Sequence, residues 1–178
     1  MIIRILGGNG AGKSHIVHQV LKLYSDKSDY PDYIQCEGNR DGLQNVMVPG
    51  HYRIPNGGMD TIPSGKRLAS AYANIEEHVR AGWHVLCEVS SQKDKAARMI
   101  DMHRRDIQIR PRLLSESDDL RVQSVRSRGH NIREDLIRKS GRLAEAIARD
   151  FAAAGVPILT LSRAGAFARV VEHLRGAS

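Results

Sequence analysis

The residues best suited to chemistry lie at the start of the chain. Gly7-Gly8-Asn9-Gly10-Ala11-Gly12-Lys13-Ser14 fits the spacing G-x-x-x-x-G-K-[ST]. Glycine reaches backbone angles that other residues avoid, so successive N–H groups can turn toward one anion. The helix that follows, read over 14–24, would add its positive N-terminal end. Lys13 is expected to reach the β- and γ-phosphates, and Ser14 to offer its hydroxyl to Mg²⁺. Gly8, Asn9, Gly10, Ala11, Gly12 and His15 complete the expected nucleotide contacts, so ATP and Mg²⁺ are the expected ligands.

Three acids are candidates to work beside that loop. Glu88 follows Val85-Leu86-Cys87 at the end of an apolar run, where a carboxylate is costly unless paired or hydrated. It is suited to orienting Mg²⁺ or accepting a proton from a substrate hydroxyl. Asp60 lies in Gly57-Gly58-Met59-Asp60-Thr61-Ile62, where two glycines permit close backbone approach. Asp41 is a weaker competitor for the proton-accepting role. Arg121, Arg126 and Arg128 share one short polar segment before Gly129. Arg126 and Arg128 are the expected lid cations that close over a γ-phosphate and neutralise its oxygens. His51 and Tyr52 could stack on a base or simply pack their loop.

These groups need a scaffold that brings them to one edge. Residues 2–6 form a short apolar run ending in glycine, as a buried parallel strand does. Ile16, Val17, Val20, Leu21 and Tyr24 follow at helical spacing, and 33–36 reads as a weaker strand. Residues 38–63 hold no helical period and carry many Gly and Pro, the mark of a functional insertion. A small hairpin over Val46 to Ile54 around Pro49-Gly50 is expected within it. Ser64 is the expected N-cap of a helix with Leu68, Ala71, Tyr72, Ile75 and Val79 on one face. Strand 84–89, helix 93–105, strand 107–114, helix 118–128, helix 131–154, strand 156–161 and a final helix complete the order. Pro111 argues for a bend or an edge in its strand. The long helix places Ile132, Leu136, Ile137, Leu143, Ile147 and Phe151 in register.

Alternating strands and helices imply an α/β fold, a three-layer sandwich around a mostly parallel five-stranded sheet with a small lid. Such sheets bind ligands at the carboxyl ends of their strands. One domain over residues 1–178 is expected, with 38–63 as the substrate-side insertion and 115–142 as the lid region.

Composition narrows the partners. The chain is 41% hydrophobic and 26% charged, ordinary for a globular domain. No apolar run approaches a membrane span, and the N-terminus runs straight into the glycine loop without room for a signal peptide. A cytoplasmic protein with no membrane partner is expected. Cys36 and Cys87 read as small buried hydrophobes. The net charge is +7, and between residues 98 and 142 twelve Lys and Arg stand against seven acids. That excess fits a solvated helical surface, a phosphate-facing lid or a nucleic-acid surface.

The loop is shared by GTPases, motors and kinases. A guanine-reading N-K-x-D segment is absent, and a motor normally carries a long apolar strand ending in Asp. Small size with a basic second half favours phosphoryl transfer, which is mainly positioning and charge neutralisation. A nucleoside or nucleotide kinase, a 5′-hydroxyl polynucleotide kinase and a nucleotide-regulated binding module all remain open on the residues alone.

Four segments together resemble a known group. They are Gly7–Ser14, then Gly50-His51-Tyr52 with Gly57 to Ile62, then Val85 to Glu88, then Arg121 to Gly129. They resemble small P-loop kinases encoded by bacterial viruses, among them kinases acting on 5-hydroxymethyluracil in DNA. Val89 stands where that group often has glycine after the glutamate. The resemblance implies ATP-dependent phosphorylation of a hydroxymethyl group on a base within DNA. It also implies that Asp60 or Glu88 handles the hydroxyl proton, and that DNA containing a modified base is a partner.

Overall fold

The computed structural model describes residues 1–38, 41–52, 58–88 and 96–176. Its strands are β1 (Ile2–Leu6), β2 (Lys27–Asp29), β3 (Tyr33–Cys36), β4 (Val46–Pro49), β5 (His84–Glu88), β6 (Ile109–Leu114) and β7 (Leu159–Leu161). Its helices are α1 (Lys13–Leu21), α2 (Lys66–Arg80), α3 (Ala97–Arg104), α4 (Asp118–Arg126), α5 (Glu134–Ala153) and α6 (Arg163–Leu174). The strands form one sheet in the order β2-β3-β4-β5-β1-β6-β7. Seven strands replace the five expected. β2 is Lys-Ser-Asp, fully exposed, with no apolar pattern to betray it. It is held by antiparallel pairing to β3, as β3 is to β4; the remaining pairs are parallel.

β1 is central, and its alternation divides the core. Ile2 and Leu6 join α2, α3 and α5 on one face through Met47, Tyr72, Ile75, Met99, Ile147 and Phe151. Ile3 and Ile5 join α1 and α6 on the other through Ile16, Val17, Val20, Leu86, Val170 and Leu174. Each such buried aliphatic side chain contributes about 1.5–3 kcal/mol. Cys36 and Cys87 are buried and unpaired with each other, as small core residues. Burial pushes the Cys36 thiol up to about 12.

Several local expectations change. Of the hairpin expected over 46–54, residues 46–49 form β4, paired with β3 and β5, and residues 53 and 54 lie outside the described residues. β4 runs parallel to β5, and the chain returns only where His51 bridges Gly58; residues 53–57, which include the expected strand end at Ile54 and Gly57, lie outside the described residues. α2 is preceded by Gly65 as N-cap, not Ser64, and no side chain caps it. α3 begins at Ala97; residues 93–95 of the expected helix, like Val89, lie outside the described residues. β6 is an interior strand. Pro111 fits there because it precedes the first β6–β7 pair, Arg112 with Leu159, so no ladder N–H is lost on that side. α5 starts at Glu134, which leaves Ile132 and Leu136 at 38% exposure while Ser140, Gly141 and Ala144 are buried.

Much of the basic excess is neutralised locally. Arg138 pairs with Asp118, Asp119 and Glu134, Arg133 with Asp135, and Arg105 with Glu76 and Asp101. Among the described residues no helix is long and apolar enough to cross a membrane.

Candidate active site

The loop leaves the carboxyl end of β1 and enters α1. Gly10 and Gly12 have φ of 83° and 93°, a region in which glycine alone is unstrained. Gly12 is the N-cap of α1 and supplies no side-chain cap, so the first-turn amides are left for an external anion. Lys13 is 9% exposed, and its Nζ donates to the carbonyls of Gly7 (3.0 Å) and Gly8 (3.3 Å). The ammonium is therefore folded back over the loop it is expected to serve.

β5 is the neighbour of β1, so its carboxyl end delivers Glu88 to the same place. Ser14 Oγ donates to Glu88 Oε1 at 2.6 Å. Glu88 is 2% exposed. Burial raises its pKa above the ordinary carboxylate value; Lys13 and the Ser14 hydrogen bond oppose this, and the charge of Asp60 adds to it. The pair offers a hydroxyl and a carboxylate, hard oxygen donors only. Among the described residues no group of three or more His, Cys, Asp or Glu could cage a metal ion. One or two protein oxygens completed by phosphate and water is the donor set that suits Mg²⁺.

Asp60 sits in a short 3₁₀ turn, Met59–Thr61, half-buried, close enough for its charge to act on Glu88. The turn is pinned. The amide of Gly58 donates to the His51 carbonyl (2.9 Å), the His51 amide to Thr61 Oγ1 (3.0 Å), and Thr61 Oγ1 to the Gly58 carbonyl (2.7 Å). Gly50 packs so closely on Gly58 that a methyl group at either would have to displace a neighbour. Asp41 is excluded from this site. It is exposed in the loop that joins β3 to the start of β4, at the amino edge of the parallel strands and opposite the glycine loop.

The arginines divide unexpectedly. Arg126 and Arg128 are exposed, the former paired with Glu134 at 3.3 Å, the latter donating from Nε to the Ser124 carbonyl at 2.9 Å. Arg121 is the one that meets the loop. It is buried, salt-bridged to Asp118, and so close to Gly8 and Gly141 that a methyl group on either would overlap its guanidinium. Burial pulls its pKa down. α5 supports the same wall: the Asn9 amide donates to Ser140 Oγ at 2.7 Å, and that hydroxyl donates to the Ile137 carbonyl at 2.7 Å. Neither Ser140 nor Gly141 stood out in the sequence as a functional residue. The available signal was a glycine inside a long helical pattern, which costs about 1 kcal/mol and usually marks close approach. Arg121→Ala is expected to cost about 1–3 kcal/mol in denaturant unfolding. Arg126→Ala and Arg128→Ala should stay within about 0.5 kcal/mol.

On the far side of the loop, Arg163 at the start of α6 donates from Nε to the Ala11 carbonyl (3.3 Å) and its amide to Glu116 Oε1 (3.3 Å). Beside it lies an open cleft of ≈ 640 Å³ between α1, α4 and α6, lined by His15, Gln19, Leu120, Gln123, Arg163 and Phe167. Partial burial and the neighbouring Arg163 lower the His15 pKa, so its ring is neutral at physiological pH.

No family model matches the chain. Over 97% of its length, and 96% of the relative's, it is 29% identical to a protein of Pseudomonas phage PaMx11 named 5-hmdU DNA kinase. The chain is similar to a phage DNA kinase. The resemblance carried by its four motif segments therefore holds. Among solved structures, deoxyadenosine kinase of M. mycoides with products dCMP and a flexible dCDP superposes with a TM-score of 0.48 at 15% identity, covering 100% of both chains. The same enzyme with bound dATP gives 0.45 at 13% identity, over 99% of this chain and 98% of that one.

Proposed function

We propose that this chain is an ATP- and Mg²⁺-dependent phosphotransferase whose acceptor is the hydroxymethyl group of 5-hydroxymethyluracil in DNA. The observation that carries the reading is the meeting of Lys13, Ser14 and Glu88 at adjacent strand ends, with Ser14 Oγ 2.6 Å from Glu88 Oε1. The phage relative, through its printed name, supports the choice of acceptor.

The loop and first-turn amides that are not already committed, as that of Asn9 is to Ser140 Oγ and that of Ala11 to the Gly8 carbonyl, receive the phosphates, and Lys13 leaves its two carbonyl contacts to bind β- and γ-oxygens. Ser14 and Glu88 are the residues that would hold Mg²⁺, which supplies charge neutralisation at the phosphates. Asp60 accepts the acceptor proton, the acceptor oxygen bonds to the γ-phosphorus, and the bond from that phosphorus to the β–γ bridging oxygen breaks, releasing ADP. Arg121 adds fixed positive charge beside Gly8, and Arg126 and Arg128 act from the lid. The cleft lined by His15, Gln123 and Phe167 takes the nucleoside of the donor. A base within duplex DNA must leave the stack to enter, at about a few kcal/mol.

The test is transfer from γ-labelled ATP. Label should appear on the base of a 5-hydroxymethyluracil oligonucleotide and fall steeply with salt. Label on free nucleosides alone, or on unmodified 5′-hydroxyl ends alone, would replace the proposed acceptor. Arg121→Ala should lower the rate more than Arg126→Ala or Arg128→Ala does.

A further inference from the structure

Arg163, the first residue of α6, joins the glycine loop to the cleft between α1, α4 and α6. It packs directly on Gly12, where a methyl group would overlap its Nε, Cδ and Cζ. Nε donates to the Ala11 carbonyl at 3.3 Å, the one hydrogen bond of this guanidinium among the described residues. No carboxylate among them pairs with it. Glu116, an acid on the same cleft, is engaged instead by the Arg163 backbone amide, 3.3 Å from Oε1. The residue is half-buried, and among the described residues that line the cleft it is the one lysine or arginine. A guanidinium is always charged and carries five N–H donors, of which the two terminal amino groups form a fork that matches two phosphate oxygens. In Arg163 the stem is tied to the loop and the fork is left without a partner.

A triphosphate with its β- and γ-groups on Lys13 and its nucleoside in the cleft must carry its α-phosphate between the two, and Arg163 stands there. Resting on the phosphotransfer reading, we infer that Arg163 binds the α-phosphate of the donor nucleotide through the two terminal amino groups of its guanidinium. ATP and ADP make this contact alike, so it strengthens binding without favouring the transition state. AMP retains the contact and adenosine lacks it.

Arg163→Gln removes the charge and the fork but keeps a polar side chain. In displacement of a fluorescent ATP analogue, the affinities of AMP, ADP and a non-hydrolysable ATP analogue should each fall about tenfold to a hundredfold, while that of adenosine stays within about twofold. Arg163→Lys keeps a point charge and should recover part of the loss for AMP, again without moving adenosine. Equal losses for adenosine and AMP would show that Arg163 only shapes the base site or the fold. Unchanged AMP affinity would show that it does not meet the phosphate. Either result overturns the assignment. A wild-type chain that binds ADP but labels no acceptor would remove the transfer reading and leave the α-phosphate contact standing; one that binds no nucleotide would remove both.

Discussion

Glu88→Gln should yield a protein that is more stable at neutral pH and nearly inactive. The two effects have one origin. Glu88 is 2% exposed and its pKa is raised chiefly by burial, so the folded state holds its proton more tightly than the unfolded state does. For a raised carboxylate, the stability it contributes is fully present below the unfolded value, about 4.3, and is lost as pH rises through the folded value. Glutamine carries no charge to desolvate and can still accept from Ser14. The variant and wild type should therefore show matching Tm values near pH 4, and the variant should be the more stable at pH 7–8. Transfer should fall about 10²–10³-fold, because the carboxylate that would hold Mg²⁺ is gone. In the wild type the acid limb of the rate profile should lie above the ordinary carboxylate range, since the ionised form is the working one. A variant of unchanged activity would remove Glu88 from the site.

Lys13→Ala should have the larger effect on rate. Its ammonium now rests on the carbonyls of Gly7 and Gly8, contacts that hold the side chain without being essential to the core. Loss of the loop ammonium that is proposed to bind the transferring phosphate should lower kcat by about 10³-fold, with Tm close to wild type. Arg121 cannot substitute, because Asp118, Gly8 and Gly141 fix its guanidinium. A variant that retains transfer would mean that the loop amides alone bind and activate the nucleotide.

What the sequence makes legible here is what is contiguous. The glycine loop is eight consecutive residues whose function lies in their own backbone, and β1 and α1 on either side show plain apolar patterns. Glu88 is similarly plain, a charge ending an apolar run. The sheet is less so, because its edges are not built on burial. β2 is wholly exposed and β7 nearly so, and both exist through ladder hydrogen bonds. Asp41 is set apart from the loop because β3 runs against β4, which no local pattern states. The three arginines are ambiguous for a related reason. Arg121, Arg126 and Arg128 look alike in sequence, and only the packing of α4 on Gly8 and Gly141 separates the buried one from the two in solvent.

Calorimetric titration of the wild-type chain with a non-hydrolysable ATP analogue, with and without Mg²⁺, bears most directly on the loop. One-to-one binding that strengthens with Mg²⁺, and is lost in Lys13→Ala while Tm holds, is the expected result. Heat that is absent under both conditions, or binding indifferent to Mg²⁺ and to Lys13, would show that this loop does not grip a triphosphate.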